Sequence, residues 1–405
     1  MIYSPVGSSG GIPQYVAFSR SSHRIELSDG NPAALEIFAT NGGTVELRSA
    51  EKVQIPYHRL KQRGRNDVQE TLISRSVERV ASEIIDAPTV HGQFRQSPSR
   101  VFILLATYNG ASYLSAQLAS LAKQTHENWV LYWRDDGSND DTVAILTEFA
   151  AMIGVGRCVR VWEPTGRIRP AGSFMALLRA AAPLLGAADS VAFVDQDDVW
   201  LPDKLTRGFA ALAAVDARIP ALYCARLMVV NARLRRLTET TISPRRCGFP
   251  ASLTQNVAAG CTIMLNRRAA DLVAASAPPS ASPHDWWCYL LVTAAGGQIL
   301  VDNAIVALYR QHGGNAIGAP PSQMRRAIAA LRRGPRIFMN VLRQHLEALA
   351  AQPDLLSETA RPTVLRLHGA LSGSLFDKLA ALNTPDLRRQ TWLETLLFRL
   401  WFLVG

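Results

Sequence analysis

The sequence has no run of 18 consecutive apolar residues, so we expect no helix that spans a membrane. Residues 1–18 contain neither a basic segment nor a continuous apolar stretch, and we therefore expect no secretion signal. The five cysteines are widely spaced and form no CxxC pair, which argues against a disulfide framework or a zinc site. We interpret each cysteine as a small buried residue of a protein in a reducing compartment.

Charge and composition narrow the class of protein. Hydrophobic residues make up 48% of the 405 residues and charged residues 19%, which is typical of a globular chain. The net charge of +10 favours an anionic ligand: nucleotide phosphates, nucleic acid or an anionic membrane face. No recognised nucleic-acid motif occurs, and the aromatic residues are not interleaved with the basic runs, so we expect no nucleic-acid partner.

Three regions differ in pattern. Residues 1–98 are rich in Gly, Ser and Arg, carry no chemical motif and have short β-leaning pieces at 45–47 and 53–55; a helix is predicted at 69–85. We interpret this region as an extension of unknown role, either β-rich or partly disordered. Residues 99–318 form the predicted catalytic domain. Residues 319–405 are predicted to be helical and basic, because positions 320–405 hold eleven Arg and one Lys against six Asp or Glu.

Strand and helix patterns alternate from residue 101 onward, and Pro202 is predicted to occupy the first position of a helix. Such alternation predicts an α/β fold, a mostly parallel sheet flanked by helices, whose ligands bind at the carboxyl ends of the strands. Strands are predicted at 101–106, 129–133, 159–162, 190–194, 222–230, 262–265 and 299–308, and helices at 110–124, 140–152, 171–185 and 284–295.

The strongest chemical signal is Asp195-Gln196-Asp197-Asp198, which follows a buried strand. Three neighbouring carboxylates repel one another unless a cation or hydrogen-bond donors compensate. Oxygen ligands suit Mg²⁺ or Mn²⁺ in combination with substrate phosphates. The alternative is a helix cap followed by a solvated turn.

Two more polar segments follow strands. The run from Asp135 to Asp141 is either an Asx-rich turn that caps a helix or a site for a base or a ribose hydroxyl. Thr107-Tyr108-Asn109-Gly110 follows the first strand, and its glycine lets the backbone turn close to a nucleotide.

Two later segments complete the set of candidates. In His284-Asp285-Trp286-Trp287 the tryptophans offer flat faces for a sugar, and the carboxylate is either a general base or a helix cap. The segment from Tyr309 to Asn315 is either a cationic loop suited to a diphosphate or an ordinary exposed basic loop.

The order of these segments resembles bacterial glycosyltransferase family 2, which has the Rossmann-like GT-A fold, and most closely its rhamnosyltransferase-like branch. The departures are Gly314, where the family commonly has a polar residue, and the long N-terminal extension. The matching stretches are ATYNGASYLSAQLASLAKQTHENWVLYWRDDGSNDDT, FVDQDDVWLPDKL, AAGCTIMLNR, HDWW and YRQHGGN.

The resemblance implies a role for each residue on the donor side. Asp136 would accept from the N3–H of uracil or thymine, and Asp195 would contact the ribose. The remaining donor-nucleotide residues would be Thr107, Tyr108, Asn109 and Arg310.

The resemblance also implies the residues for the metal and the acceptor. Asp197 would bind the Mg²⁺ or Mn²⁺ that bridges the diphosphate, with Asp198 beside it and His312 in support. Asp285 would be the base that takes the proton of the acceptor hydroxyl. The residues for stacking on the sugar or acceptor would be His284, Trp286 and Trp287.

The implied enzyme is an inverting glycosyltransferase. It would move a sugar, rhamnose by resemblance, from dTDP-rhamnose or a UDP-sugar to a glycan or lipid-linked acceptor of the cell envelope. We expect a cytoplasmic protein, in peripheral contact with the inner face of the membrane if its C-terminal apolar stripe, residues 391–405, docks there. The alternative for that stripe is a helix packed on preceding helices. The enzyme alternative is a metal-dependent nucleotidyltransferase, and the non-enzymatic one is a basic nucleic-acid-binding protein.

Overall fold

The computed structural model describes residues 24–25, 35–39, 45–49, 99–154, 156–242, 247–313 and 335–404. The chain divides into two compact units, Met1–Ile55 and Pro56–Gly405. In the first unit the described residues form an antiparallel sheet of β1 (Arg24–Ile25), β2 (Leu35–Ala39) and β3 (Val45–Ser49). The strand predicted at 45–47 is therefore confirmed, whereas the segments at 53–55 and 69–85 lie outside the described residues.

The second unit begins with the alternating part that the sequence predicts. Its four strands are parallel neighbours in the order β6-β5-β4-β7, because a crossover helix joins each strand to the next one in the chain. The elements are β4 (Val101–Thr107), α1 (Ala111–Ala122), β5 (Trp129–Asp135), α2 (Thr142–Ile153), β6 (Cys158–Arg160), α3 (Arg169–Ala181) and β7 (Ser190–Val194).

These strands are apolar throughout because both faces of the sheet are covered. Along β4, Phe102 and Leu104 enter one hydrophobic cluster, while Ile103 and Leu105 enter the cluster on the opposite face. The carboxyl ends of β4, β5 and β7 consequently share one edge, which is where the polar segments of the sequence begin.

The second half of the sheet is mixed. β11 is antiparallel to both β7 and β9, β9 is parallel to β12, and β8 is antiparallel to β12; β10 pairs with β9. The elements are β8 (Val199–Trp200), α4 (Lys204–Ala213), β9 (Ala221–Asn231), β10 (Arg236–Glu239), β11 (Met264–Asn266), α5 (Arg267–Ala275), α6 (His284–Ala294) and β12 (Gln298–Gln311).

Two local predictions need correction. Helix α4 begins at Lys204 with Asp203 as its N-cap, so Pro202 precedes the helix and is not its first residue. Tyr309, Arg310 and Gln311 belong to strand β12, so the predicted cationic loop begins only at His312.

Within the described residues 335–404 the C-terminal region forms helices α7 (Pro335–Ala350), α8 (Ala360–Ser372), α9 (Leu375–Leu382) and α10 (Trp392–Val404). Leu346 of α7 and Phe398 of α10 belong to the same hydrophobic cluster as Phe102 of the sheet. The helices thus share a core with one face of the sheet. In the described ranges, no helix combines the length and the hydropathy needed to cross a bilayer.

Candidate active site

The loops after β4 and β5 are joined by hydrogen bonds at the sheet edge. The backbone N–H of Asp136 donates to the Thr107 carbonyl at 2.8 Å, and the Asn109 N–H donates to Ser138 Oγ at 2.8 Å. Asn109 has the positive φ of 48° that asparagine tolerates better than most residues, and its side-chain oxygen accepts from the Asn139 N–H. Asn109 therefore organises these loops.

Gln196 connects the first loop to the acidic cluster. Its amide oxygen accepts from the Tyr108 N–H at 2.9 Å, and its amide nitrogen donates to the Tyr108 carbonyl at 3.1 Å. A side chain at Gly110 would collide with this amide, which explains the glycine. We did not predict this role for Gln196, although the glycine before α1 already indicated a close approach.

The two adjacent carboxylates at the end of β5 differ in their surroundings. Asp135 accepts from the N–H groups of Gly137 and Ser138, so it forms the Asx-rich turn that was the alternative interpretation. Asp136 is buried and accepts from Arg134 Nη1 at 2.7 Å and from the N–H groups of Ile168 and Arg169 at 2.7 and 2.8 Å.

The acidic cluster follows β7 directly. Burial raises the pKa of Asp195 well above its usual value, and the charges of Asp198, Asp197 and Asp285 raise it further. The influence of Asp285, which belongs to helix α6, indicates that this helix start faces the cluster. Four carboxyl groups from two separate segments are thus concentrated at one place.

Asp197 meets His312, the residue that follows β12. The Oδ2 atom of Asp197 and Nε2 of His312 are 2.9 Å apart, and both side chains are largely buried. The His312 ring also packs on Tyr113 of α1, with centroids 4.5 Å apart. A carboxylate oxygen and an imidazole nitrogen are therefore held side by side.

Arg310 is placed differently from the prediction. It is buried, and its guanidinium donates to the carbonyls of Asp197 and Ala232, both at 2.7 Å. The side chain thus holds the backbone of the acidic cluster, and the prediction that it contacts the nucleotide needs correction.

Asp198, predicted to lie beside the metal ligand Asp197, is a buried carboxyl group. It is fully buried and accepts from the Arg310 N–H at 3.0 Å, while its Oδ2 atom has no hydrogen-bond partner among the described residues. Burial raises the pKa of Asp198 to about 7, and the charge of Asp197 acts in the same direction. Possible ligand atoms of Asp195, Asp198 and Cys261 lie within 4.8 Å of one another. Burial also raises the pKa of the Cys261 thiol well above its usual value, so it is a poor ligand.

Asp285 is positioned by three donors at the start of α6. Its Oδ1 atom accepts from the Trp286 N–H at 2.7 Å, and its carboxylate also accepts from the Asn256 side chain and the Gly260 N–H. Burial nevertheless dominates and raises the pKa of Asp285 to about 6. Sequence reasoning missed Asn256, because nothing in the surrounding residues marks it.

The aromatic neighbours of Asp285 differ in exposure and only partly agree with the stacking surface that the sequence suggested. Trp287 is 0% exposed and donates to Ser276 Oγ, so its predicted stacking role is wrong: this side of α6 faces the core. His284 stacks on Phe174 at 3.9 Å, and burial lowers its pKa to about 3. Trp286 is partly exposed and is oriented by its bond to the Ser252 carbonyl.

The chain is similar in sequence to several known proteins. Residues 102–272 match the family described as "Glycosyl transferase family 2". The dTDP-rhamnosyl transferase RfbG of Shigella flexneri is 24% identical over 223 residues, which cover 53% of this chain and 74% of that protein. The UDP-Glc:alpha-D-GlcNAc-diphosphoundecaprenol beta-1,3-glucosyltransferase WfgD of Escherichia coli is 26% identical over 209 residues, with coverages of 51% and 72%.

Among solved structures, S. aureus TarS 1-349 in complex with UDP-GlcNAc gives a TM-score of 0.45 at 15% identity and covers 70% of this chain and 79% of that one. The family match falls on the segments that carry the acidic cluster and the loops after β4 and β5. Residues 102–272 accordingly match glycosyl transferase family 2, and the chain is similar to proteins named as glycosyltransferases.

Proposed function

We propose that the protein transfers a sugar from a nucleoside diphosphate to an acceptor hydroxyl with inversion at the anomeric carbon. The observation that carries the proposal is that Asp197, which pairs with His312, and Asp285, from a separate segment, both lie close enough to Asp195 for their charges to raise its pKa. An inverting transfer needs a base on the face of the sugar opposite the leaving group. In this chain the candidate base and the candidate metal ligands come from separate segments.

The donor nucleotide would lie at the ends of β4, β5 and β7. Asp136 would accept from the N3–H of uracil or thymine, Thr107 and Tyr108 would line the base, and Asp195 would contact the ribose. Asn109 would act by holding the loops after β4 and β5 together. Support comes from the hydrogen bonds that join these loops and from the burial of the Asp136 carboxylate.

A divalent cation, Mg²⁺ or Mn²⁺, would be held by Asp197 and His312. Their ligand atoms are 2.9 Å apart, close to the ~3 Å between neighbouring ligands of an octahedron with bonds of about 2.1 Å. When bound, the cation would stabilise the charge that develops on the departing diphosphate. Asp198 and Arg310 would hold the backbone of this site in place. Both are buried, the Arg310 N–H donates to the Asp198 carboxylate, and the Arg310 guanidinium donates to the Asp197 carbonyl.

Asp285 would supply the base. It would take the proton of the acceptor hydroxyl while that oxygen bonds to the anomeric carbon and the bond from this carbon to the diphosphate oxygen breaks. The products are the elongated acceptor and a free nucleoside diphosphate. A pKa raised to about 6 suits a base that acts near neutral pH. Trp286 and His284 would border the acceptor side.

The names of two relatives support particular classes of donor and acceptor. RfbG is named as a dTDP-rhamnosyl transferase, which supports dTDP-rhamnose as donor, with a UDP-sugar as the second choice. WfgD is named for a diphosphoundecaprenol acceptor, which supports a lipid-linked acceptor or growing glycan of the cell envelope.

A lipid-linked acceptor favours action at the inner face of the cytoplasmic membrane. Helices α9 and α10 expose apolar side chains to solvent. Residues 320–405 carry an excess of arginine, which suits anionic lipid. We propose peripheral docking of this face on the inner leaflet. In this scheme residues 99–318 are the catalytic domain, residues 319–405 the docking region, and residues 1–98 an extension outside the chemistry.

The test is a screen of nucleotide sugars with Mg²⁺ or Mn²⁺ that identifies the released product. Free nucleoside diphosphate together with a glycosylated acceptor is expected. Release of pyrophosphate would instead identify a nucleotidyltransferase and overturn the proposal.

A further inference from the structure

Arg134 is a charged residue inside the sheet, near the end of β5. Its side chain lies on the same face as Val130 and Tyr132, toward helix α3, and is 2% exposed. A guanidinium is always charged, so its burial is costly unless its donors are paired. The position of this arginine therefore needs an explanation that the catalytic scheme above does not provide.

The guanidinium joins three parts of the molecule. Nη1 donates to Asp136 Oδ1 at 2.7 Å and to Ser173 Oγ of α3 at 2.8 Å. Nη2 donates to the carbonyls of Pro164 and Gly166 at 2.8 and 2.6 Å. The planar fork thus ties the end of β5 to α3 and to the segment 161–168 that precedes this helix.

Asp136 ties the far end of the same segment. It accepts from the N–H groups of Ile168 and Arg169, which begin helix α3, a location where the helix dipole favours a carboxylate. Between the two attachment points, the Arg167 guanidinium lies 3.9 Å over the ring of Tyr108, one of the residues proposed to line the base. Segment 161–168 is consequently fixed against the proposed base site.

The number of acceptor positions on Asp136 matters here. A carboxylate offers about four lone-pair positions. Two bonds use Oδ1 and one uses Oδ2, which leaves one position on Oδ2. A uracil or thymine N3–H can donate to that position, whereas the bare N3 of cytosine would face it with a second acceptor.

We propose that Arg134 is a positioning residue that sets the selectivity for uracil and thymine over cytosine, by holding the Asp136 carboxylate and segment 161–168 in one fixed arrangement. The inference rests on the proposed function, since it requires that Asp136 meets the base. Arg134 itself touches no substrate and acts through Asp136.

The experiment compares binding of UDP and CDP in the presence of Mn²⁺ by calorimetry. The wild type should bind UDP at least about tenfold more tightly than CDP, the effect of one unpaired buried acceptor. Arg134→Lys keeps the charge but loses the fork, and should reduce this preference to within about threefold. Arg207→Lys is the matched control, because Arg207 also makes a forked pair with a carboxylate, Asp302, but on an exposed helix. It should keep the wild-type preference.

Ser173→Ala is the second variant, because it removes one acceptor of Arg134 without adding a charge. It should lower the preference for UDP by a smaller factor than Arg134→Lys does. If Arg134→Lys does not fold, Ser173→Ala provides the test of the role of Arg134. A preference for UDP that survives in the folded variants overturns the role of Arg134. A wild type that binds both nucleotides equally overturns the base contact of Asp136 and this inference with it, whereas a wild type that binds neither contradicts the proposed function as a whole.

Discussion

Asp197 and His312 are 115 positions apart in the chain, yet their Oδ2 and Nε2 atoms are 2.9 Å apart. Asp197 follows β7 in the parallel half of the sheet, and His312 follows β12, the long strand that runs parallel to β9. The mixed half of the sheet therefore has a chemical consequence: it returns an imidazole to the edge where the acidic cluster lies.

We expect that Asp197→Ala and His312→Ala each lower turnover by about 10³-fold, because a bound cation contributes several kcal/mol of charge stabilisation. Both variants should also lose the Mn²⁺ dependence of UDP binding. Isothermal titration with and without EDTA measures this. Asp203→Ala, at the exposed start of α4, is the matched acidic control and should behave like the wild type. Full activity of the wild type in EDTA would contradict the role of the metal.

Much of the fold was predictable because buried parallel strands and crossover helices have simple patterns. The strand predicted at 190–194 has the bounds of β7, and the helix predicted at 284–295 ends one residue beyond α6. The antiparallel insertion of β11 between β7 and β9 was not predictable. Strand order in a mixed sheet depends on contacts between distant segments, which no local periodicity records.

The site was predictable by segment but not by side chain. Trp286 and Trp287 are neighbours on one helix, about 100° apart, so only one can face the core, and the sequence does not say which. Arg310 was expected to contact the nucleotide because it was assigned to a cationic loop, yet it belongs to β12, is buried and is bonded to backbone carbonyls. Arg134 was not among the predicted residues, although a basic residue at the end of an apolar strand is unusual.

Asp285→Asn should lower turnover by ~10²-fold or more while leaving UDP affinity within about twofold of the wild type, because a general base acts on the acceptor and not on the nucleotide. The amide keeps the size of the side chain and accepts from the Trp286 N–H in the same way. Steady-state rates together with UDP titration provide the measurement. Parallel losses of affinity and rate would point to a structural cap.

The pH profile should report the same carboxyl group. A base acts when ionised, and burial raises the pKa of Asp285 to about 6, so kcat/KM should fall about tenfold per unit as the pH drops below that value. Asn256 donates to the ionised form, which lowers the pKa. Asn256→Ala should therefore move the acid limb to higher pH. A limb that stays in place in this variant, or that persists unchanged in Asp285→Asn, would assign it to another group.

The catalytic unit should survive removal of residues 1–95. All of the proposed site residues lie in the second compact unit, Pro56–Gly405, and its described sheet starts at Val101. The truncated protein should keep its turnover within about twofold and its thermal midpoint within a few degrees. An insoluble or inactive product would mean that the N-terminal region contributes to the fold or to the site.

Helix α10 has one side buried in the core and an opposite side that is apolar and exposed. Phe398, Trp401 and Phe402 are buried in the core, which agrees with a helix packed on its neighbours. Its opposite side is apolar and exposed, and Lys378 of α9 donates to the Leu403 carbonyl, so α9 lies beside it. We call this exposed surface the α9–α10 apolar face; it comprises Leu375, Phe376, Leu379, Trp392, Leu393, Leu396, Leu400 and Val404.

Deletion of the C-terminal helix is a poor test of membrane docking. Deleting residues 388–405 would remove Phe398 and Trp401 from the core and so could unfold the protein whether or not it docks. Replacing only exposed leucines separates the two effects. The variant with Leu393→Ser, Leu396→Ser and Leu400→Ser leaves the buried side of α10 intact.

We expect this triple variant to bind anionic vesicles of phosphatidylglycerol and phosphatidylethanolamine at least about tenfold more weakly, since each buried leucine contributes roughly 1.5 kcal/mol or more. Its activity on a soluble acceptor analogue should be unchanged, because the face takes no part in the chemistry. The control replaces Leu184, Leu234 and Leu237, exposed leucines outside helices α9 and α10, by serine. Sedimentation with vesicles measures binding. Equal sedimentation of the wild type and both variants would refute docking through the α9–α10 apolar face, and would leave α10 with its packing role alone.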